Sequence, residues 1–383
     1  MGLLSKVKHG VEVTRDNPQL VTWLARNKLR AATLPLERHY LHGESRFARS
    51  IAFRLTQACN LRCRMCRYVL NGEVLANPKE GLPLESWLRV VDEVAPFGPY
   101  ICITGGEPML HPHVAEIIRR IRRRQLRCTV VTNGTLLAGR AASFMDSPPD
   151  MIVVSLDGPP EVHNAVRNRE RVFERAIEGI RAVQELKREL RLGRPVIAIN
   201  CSVTAHNYRT IDQMLDIAGE LGADALNYQY EWMLTPAMIA EHNRLYGGCH
   251  HLRASELGAA DPVPADPELV VEMVRRVYRR ARHTRNGMFV TFHPDLDETG
   301  IRRWFSDPRS WVHRRPAACA WMSADILANG MVEACLGLVC GSVKERSFPE
   351  IWNGSTYREF RQRLAEEGSL PICVRCCSYF RRD

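Results

Sequence analysis

No apolar run in this 383-residue chain approaches the ~20 residues that a membrane-crossing helix needs. The first ten residues hold a single apolar pair, Leu3-Leu4, and no signal-peptide core, so the expected compartment is the cytoplasm. Internal repeats and low-complexity tracts are also missing, which sets aside solenoid, fibrous and disordered classes. What is left is an ordinary globular composition, 45% hydrophobic and 25% charged, with room for roughly two to three domains.

Against that background cysteine is abundant. There are thirteen, and a reducing compartment disfavours disulfides, so metal binding or catalysis explains them better. Three lie in the run Cys59-Asn-Leu-Arg-Cys63-Arg-Met-Cys66, and six lie between Cys319 and Cys377. Cys102, Cys128 and Cys201 sit in strand-like runs and read as inert buried thiols; Cys249 stands alone.

The formal net charge is +10, and residues 1–50 supply +5 of it. A second basic cluster comprises Arg119, Arg120, Arg122, Arg123, Arg124 and Arg127. A solvated helix face is the plain reading, and no known nucleic-acid motif accompanies the charge. The first fifty residues read as a basic helical extension that begins at Asn17-Pro18. Its Leu20, Val21, Trp23, Leu24 and Leu29 suit either packing on the next domain or peripheral contact with a membrane surface.

From residue 51 to about 232, strand and helix patterns alternate. Strands are expected at Ile51–Thr56, Tyr100–Thr104, Cys128–Thr132, Met151–Ser155, Val196–Val203 and Asp224–Tyr230. Helices are expected at Leu84–Val94, His113–Arg124, Val172–Glu189 and Ile211–Leu221. Such alternation predicts an α/β fold with a parallel sheet, a partial (β/α)6 barrel of the TIM type, with function at the C-terminal strand ends. Residues 51–245 form that barrel. Residues 246–312 are a linker with a bridging helix (266–283) and a strand (288–292), after a less regular insert at 233–262. Residues 313–383 are a small cysteine-rich hairpin and helix domain.

The cysteine triad follows the first strand. Three thiolates on one loop can hold three corners of a cubic iron–sulfur cluster and leave one iron open. A zinc site is the structural alternative, but it wants four closed ligands. Thr104-Gly105-Gly106-Glu107 follows the second strand, with glycines suited to close approach of a ligand and a Glu suited to an ammonium group. Thr132-Asn133-Gly134 follows the third. Ser155-Leu156-Asp157-Gly158 follows the fourth, and then come His163, Asn164 and Arg167. Together these stretches make one rim.

In this order the motifs resemble those of the radical S-adenosylmethionine enzymes. The resemblance implies that Cys59, Cys63 and Cys66 hold a [4Fe–4S] cluster whose open iron chelates the amine and carboxylate of S-adenosylmethionine. It also implies that Thr104, Gly105, Gly106, Glu107, Asn133, Ser155, Asp157 and Arg167 serve the cofactor: Thr104 to Glu107 toward the methionyl amine, Ser155 and Arg167 toward the carboxylate and ribose. Two positions depart from the family pattern. Met65 stands where an aromatic usually faces adenine, and Asn164 stands where related His-Asp-x-x-Arg stretches carry Asp.

In the tail, Ala324 to Leu327, Asn329-Gly330 and Met331-Val332 read as a hairpin that brings Cys319 and Cys335 together. Cys373 and Cys376 have a two-ligand loop spacing, and four thiolates from two loops can close a second cluster. A zinc ribbon is the alternative. The pattern resembles the SPASM or twitch extension of the same superfamily, which implies an auxiliary [4Fe–4S] cluster on Cys319, Cys335, Cys373 and Cys376. One such cluster is expected, because the further cysteines of a full SPASM pattern do not follow Cys376. Cys340 and Cys377 are left over as hydrogen-atom donors or inert thiols.

The expected function is hydrogen abstraction from a substrate carbon by a 5′-deoxyadenosyl radical, with the auxiliary cluster in electron transfer and a flavodoxin or ferredoxin as reductant. A small molecule or lipid is the first choice of substrate and a peptide the second. RNA modification and a non-catalytic electron carrier or scaffold are the other classes. Glu231, His293 and Asp295 lie at or near predicted strand ends, and Glu231 is the candidate base because it ends the sixth strand.

Overall fold

The computed structural model describes residues 32–46, 48–72, 81–261, 263–282 and 287–380. The described residues form one ten-stranded sheet. Its strands are β1 (Ser50–Arg54), β2 (Tyr100–Thr104), β3 (Arg127–Thr132), β4 (Met151–Ser155), β5 (Val196–Val203), β6 (Ala225–Tyr230), β7 (Phe289–His293), β8 (Ser323–Ile326), β9 (Met331–Cys335) and β10 (Leu338–Ser342). The order across the sheet is β10-β9-β8-β1-β2-β3-β4-β5-β6-β7.

Neighbours from β1 to β7 are all parallel, with helical segments between them, which is the partial-barrel architecture. In β1, β2 and β4 burial alternates strictly. Ile51, Phe53, Ile101, Ile103, Ile152 and Val154 are fully buried in the core. The intervening positions, among them Arg54, Thr104 and Ser155, are half-buried. One face therefore carries the core and the other is left for polar work.

Two features go beyond the six-unit expectation. The strand foreseen in the linker, β7, pairs in parallel with β6 and extends the barrel sheet to seven parallel strands. The cysteine-rich hairpin joins the same sheet, since β8 pairs in parallel with β1. Ile51 thus sits between Ile101 and Ala324. Neither pairing has a local signal, because each joins segments far apart in the chain.

Local signals account for several element ends. Asp266 caps the helix Pro267–Ala281 by accepting from Glu268 and Leu269 N–H, with proline next to the cap. The insert at 233–262 is more regular than expected. Thr235 Oγ1 accepts from Met238 N–H at 3.2 Å and starts the helix Pro236–Tyr246. That Thr-Pro start was readable in the sequence. The hairpin turn closes with Gly330 N–H on the Leu327 carbonyl, and Gly330 lies at φ +92°, so the loop is three residues with a left-handed glycine instead of a two-residue Asn-Gly turn.

The basic cluster is largely neutralised in place. Arg119 pairs with Asp146 at 2.8 Å, Arg120 and Arg124 share Asp92, and Arg122 and Arg127 share Asp150. This is the solvated-face reading of that cluster. Residues 32–40 are helical. The helix foreseen from Asn17, and with it the membrane contact, lies outside the described residues. Among the described residues no helix is long and apolar enough to cross a membrane.

Candidate active site

The triad loop leaves the C-terminal end of β1, as foreseen. Leu61, Cys63 and Val172 form a small buried cluster against which Cys59, Met65 and Cys66 pack. The Cys59 thiol is pushed up to about 11 by burial, reinforced by Glu107, Cys63 and Cys66. Burial also raises the Cys63 thiol, and thiols held neutral this way ionise when a cation takes the thiolate, which is the donor chemistry of an iron–sulfur site. Leu61 N–H points at Cys59 Sγ at 3.4 Å, and Arg167 Nη1 lies 3.7 Å from Cys63 Sγ.

The strand-end motifs hold this loop. A Cβ on Gly105 (φ +133°) would lie 2.4 Å from the Thr56 carbonyl oxygen, and one on Gly106 would lie 2.2 Å from that of Ala58. Gly106 and Glu107 N–H donate to those same carbonyls at 2.7 and 2.8 Å. The backbone that approaches the glycines is thus the chain's own. Glu107 is buried, and its carboxylate accepts from Met109 N–H, Thr132 Oγ1 and Asn133 N–H at 2.7–3.0 Å. Three of its roughly four acceptor positions are filled before any ammonium arrives. Thr104 ends β2, and its carbonyl accepts from Leu55 N–H at 3.0 Å. Asn133 Nδ2 donates to Asn60 Oδ1 at 2.9 Å, and Asn60 Nδ2 donates to Thr135 Oγ1 at 2.8 Å. Asn60 and Thr135 carry no signal beyond their neighbours in the motifs.

Half-buried Ser155 ends β4 and leads to Asp157, which is fully buried. Arg167 Nε donates to Asp157 at 2.6 Å, and Ser202 N–H donates to it at 3.0 Å. Burial pulls Arg167 down, yet Asp157 and the Cys63 sulfur hold its pKa above the ordinary value. The guanidinium therefore stands beside the triad as a cation whose charge Asp157 balances. Asn164 Oδ1 accepts from Val172 and Phe173 N–H, at 3.1 and 2.9 Å, and caps the helix Val172–Glu189.

Cys319, Cys335, Cys373, Cys376 and Cys377 line one cavity of about 240 Å³. Burial raises the Cys335 and Cys373 thiols, and Cys319 adds to both. Cys376 is raised first by its hydrogen bond with Cys377, then by burial. Among the described residues no three His, Cys, Asp or Glu side chains converge on a point as the ligands of a lone ion would. A four-iron cube takes its thiolates at separate corners, a demand different from that of a lone ion. Cys340 does not join the cysteines of that cavity. It is buried in β10, with its thiol toward the Leu338 carbonyl at 3.9 Å. His293 Nε2 bonds the Cys377 carbonyl at 3.2 Å, which makes it a strap between β7 and this loop.

Glu231 is the first residue after β6, and its N–H donates to the Val203 carbonyl at 3.0 Å. Its side chain lines a second cavity of about 120 Å³ with Met65, Arg67, His206 and Trp232. Burial pushes its carboxyl up to about 7.

The radical SAM superfamily model matches residues 53–218, and a model of the SPASM iron–sulfur cluster-binding domain matches residues 319–377. The chain thus carries a radical SAM domain followed by a SPASM domain, and it is an enzyme. Its cofactors are accordingly a [4Fe–4S] cluster with S-adenosylmethionine, and auxiliary iron–sulfur chemistry in the SPASM domain. It is 27% identical over 340 residues to an AdoMet-dependent heme synthase of Oleidesulfovibrio alaskensis, covering 85% of this chain and 80% of that one. It is 27% identical over 327 residues to the PqqA peptide cyclase of Granulibacter bethesdensis, covering 80% and 74%. In fold it is similar to Streptococcus suis SuiB bound to S-adenosylmethionine, with TM-score 0.63 at 15% identity, covering all of this chain and 87% of that one.

Proposed function

We propose that Cys59, Cys63 and Cys66 hold the cluster that binds S-adenosylmethionine, that Cys319, Cys335, Cys373 and Cys376 hold one auxiliary [4Fe–4S] cluster, and that a small organic substrate is oxidised between them. When bound, these groups supply reductive cleavage of S-adenosylmethionine to a 5′-deoxyadenosyl radical and one-electron exchange at the second cluster. The observation that supports the reading is a pair of cavities that share Arg67 and Trp232 as walls: one is lined by the tail cysteines, and the other by Arg64, Met65 and Arg67, the chain neighbours of Cys63 and Cys66.

The chain's own residues do the rest. Asp157 keeps Arg167 against the Cys63 sulfur, where a hydrogen bond to the sulfur tunes the potential. Asn60, Asn133 and Thr135 fix the triad loop. Glu231 takes the proton that oxidation of the substrate releases. A ferredoxin or flavodoxin is the proposed electron donor. The small-molecule substrate is supported by the cavity sizes and by the likeness to heme synthases over most of the chain. A peptide is the second reading, supported by the likeness to a peptide cyclase over 80% of the chain.

Anaerobic reconstitution with dithionite and S-adenosylmethionine tests the class: 5′-deoxyadenosine must form. Deuterium transfer from candidate substrates into 5′-deoxyadenosine then identifies the substrate. With that substrate, turnover is expected to rise with pH and level off above about 7, because a base must be ionised and Glu231 ionises there. Glu231→Gln should lower turnover about 100-fold and flatten that limb. A pH profile unchanged by the substitution removes Glu231 as the base. The same shift has a stability sign. The folded protein binds the extra proton between the ordinary carboxyl range and about 7, so this group's contribution falls as pH rises through that window.

A further inference from the structure

Arg67 follows Cys66 directly and lines both cavities. Its Nε is shielded from solvent and has no hydrogen-bond partner among the described residues. Its guanidinium carbon lies 5.0 Å from the centroid of Tyr68, a contact that leaves the polar edge of the fork uncommitted. The neighbouring Arg54 is different. It donates through Nε to Asp325 at 2.9 Å, pairs with the same carboxylate through a second nitrogen, and bonds Tyr68 Oη. Arg54 is therefore closed by the protein itself, whereas Arg67, whose charge Glu333 feels, makes no side-chain hydrogen bond or ion pair among the described residues; the exposed Arg64 lines the second cavity alone.

We infer that Arg67 anchors a carboxylate of the substrate in the passage between the two cysteine sets. This rests on the two-cluster reading above and names the chemistry of what it oxidises. A shielded guanidinium nitrogen without a partner is costly, and a planar fork is matched bidentately by a carboxylate. Phosphate has the same geometry but more charge. Glu231 and Glu333 also face these cavities and oppose a dianion more than a monoanion. An anchor here sets one end of the substrate beside the triad loop. It leaves the adjoining carbon chain between Glu231 and the auxiliary cysteines.

The test uses reconstituted holoenzyme saturated with S-adenosylmethionine, so that the cofactor's own carboxylate is already placed. Binding of glutarate is compared with that of glutaramide, and binding of a blocked peptide bearing one glutamate with that of its glutamine counterpart. Equilibrium dialysis and the electron paramagnetic resonance line shape of the reduced clusters are the readouts. The expected result is that at least one carboxylate probe binds at least about tenfold more tightly than its amide, and that Arg67→Gln loses this preference. Arg67→Lys, which keeps the charge without the fork, should fall between them, with iron content reporting that it folds. Preference for glutarate assigns a small acid, and preference for the peptide assigns an acidic side chain. The inference is overturned if neither probe outbinds its amide, if Arg67→Gln binds as the wild type does, or if that variant weakens S-adenosylmethionine and spares glutarate. Formation of 5′-deoxyadenosine by wild-type enzyme without substrate tests the radical reading separately, so the two failures are distinguishable.

Discussion

Replacing Cys59, Cys63 and Cys66 together by alanine is expected to reduce 5′-deoxyadenosine formation to background and to halve the bound iron. Two four-iron clusters would become one, so the reconstituted chain should fall from about eight iron atoms to about four. The effect is large because no neighbouring group can replace a lost thiolate. Glu107 is nearby, but its carboxylate is already bonded to Met109, Thr132 and Asn133. The converse replacement of Cys319, Cys335, Cys373 and Cys376 should also halve the iron while sparing the signal of the first cluster. Cys340→Ser should leave iron content unchanged, since that thiol lies in the core away from the shared cavity. Iron analysis with Mössbauer or paramagnetic resonance spectra decides this. A triad variant that still forms 5′-deoxyadenosine refutes the ligand assignment.

Gly106→Ala should be the most damaging single methyl group in the site. The added Cβ would meet the Ala58 carbonyl oxygen at 2.2 Å and the carbonyl carbon at 2.7 Å, and backbone at that spot cannot rotate away. Either β2 or the triad loop must shift, and the hydrogen bonds that Gly106 and Glu107 N–H make to Thr56 and Ala58 go with it. Overpacking of this kind costs about 1–3 kcal/mol, or roughly 1–4 °C in Tm for a chain of this size. The local consequence is greater than the global one, because Ala58 adjoins Cys59: occupancy of the first cluster should fall by more than Tm suggests. Gly139→Ala is the control. Nothing lies within 4 Å of its Cβ, and its place in a short helix favours alanine. If both variants reconstitute equally, the glycines are not holding the loop.

Much of the architecture was legible before any coordinates. The strands Tyr100–Thr104, Met151–Ser155 and Val196–Val203 and the helices Leu84–Val94 and Val172–Glu189 stand where their patterns put them. Buried apolar strands punctuated by glycine, and helices with one apolar stripe, are local signals. The helix Pro236–Tyr246 was legible too, through its Thr-Pro start, but the glycine and histidine pairs at 247, 248, 250 and 251 drew the segment toward irregular structure. The seventh parallel strand was seen as a strand but not as part of the barrel, because nothing in Phe289–His293 says which strand it pairs with.

The sequence by itself determined which atoms can bind iron and where in the chain they cluster, since thiol chemistry and a seven-residue spacing survive without a fold. It also determined the order of the strand-end motifs. Only the tertiary structure decided what each motif touches. Gly105 and Gly106 let the backbone at Thr56 and Ala58 come close. Arg167 balances Asp157 beside Cys63, Cys340 is left in the core, and Arg67 Nε has no hydrogen-bond partner among the described residues where it lines two cavities. The reason is range. Arg54 and Asp325 pair across 271 positions, and Trp352 reaches Ser45 across 307. Burial and charge pairing at that separation follow from how the strands stack, and no window of sequence contains both partners.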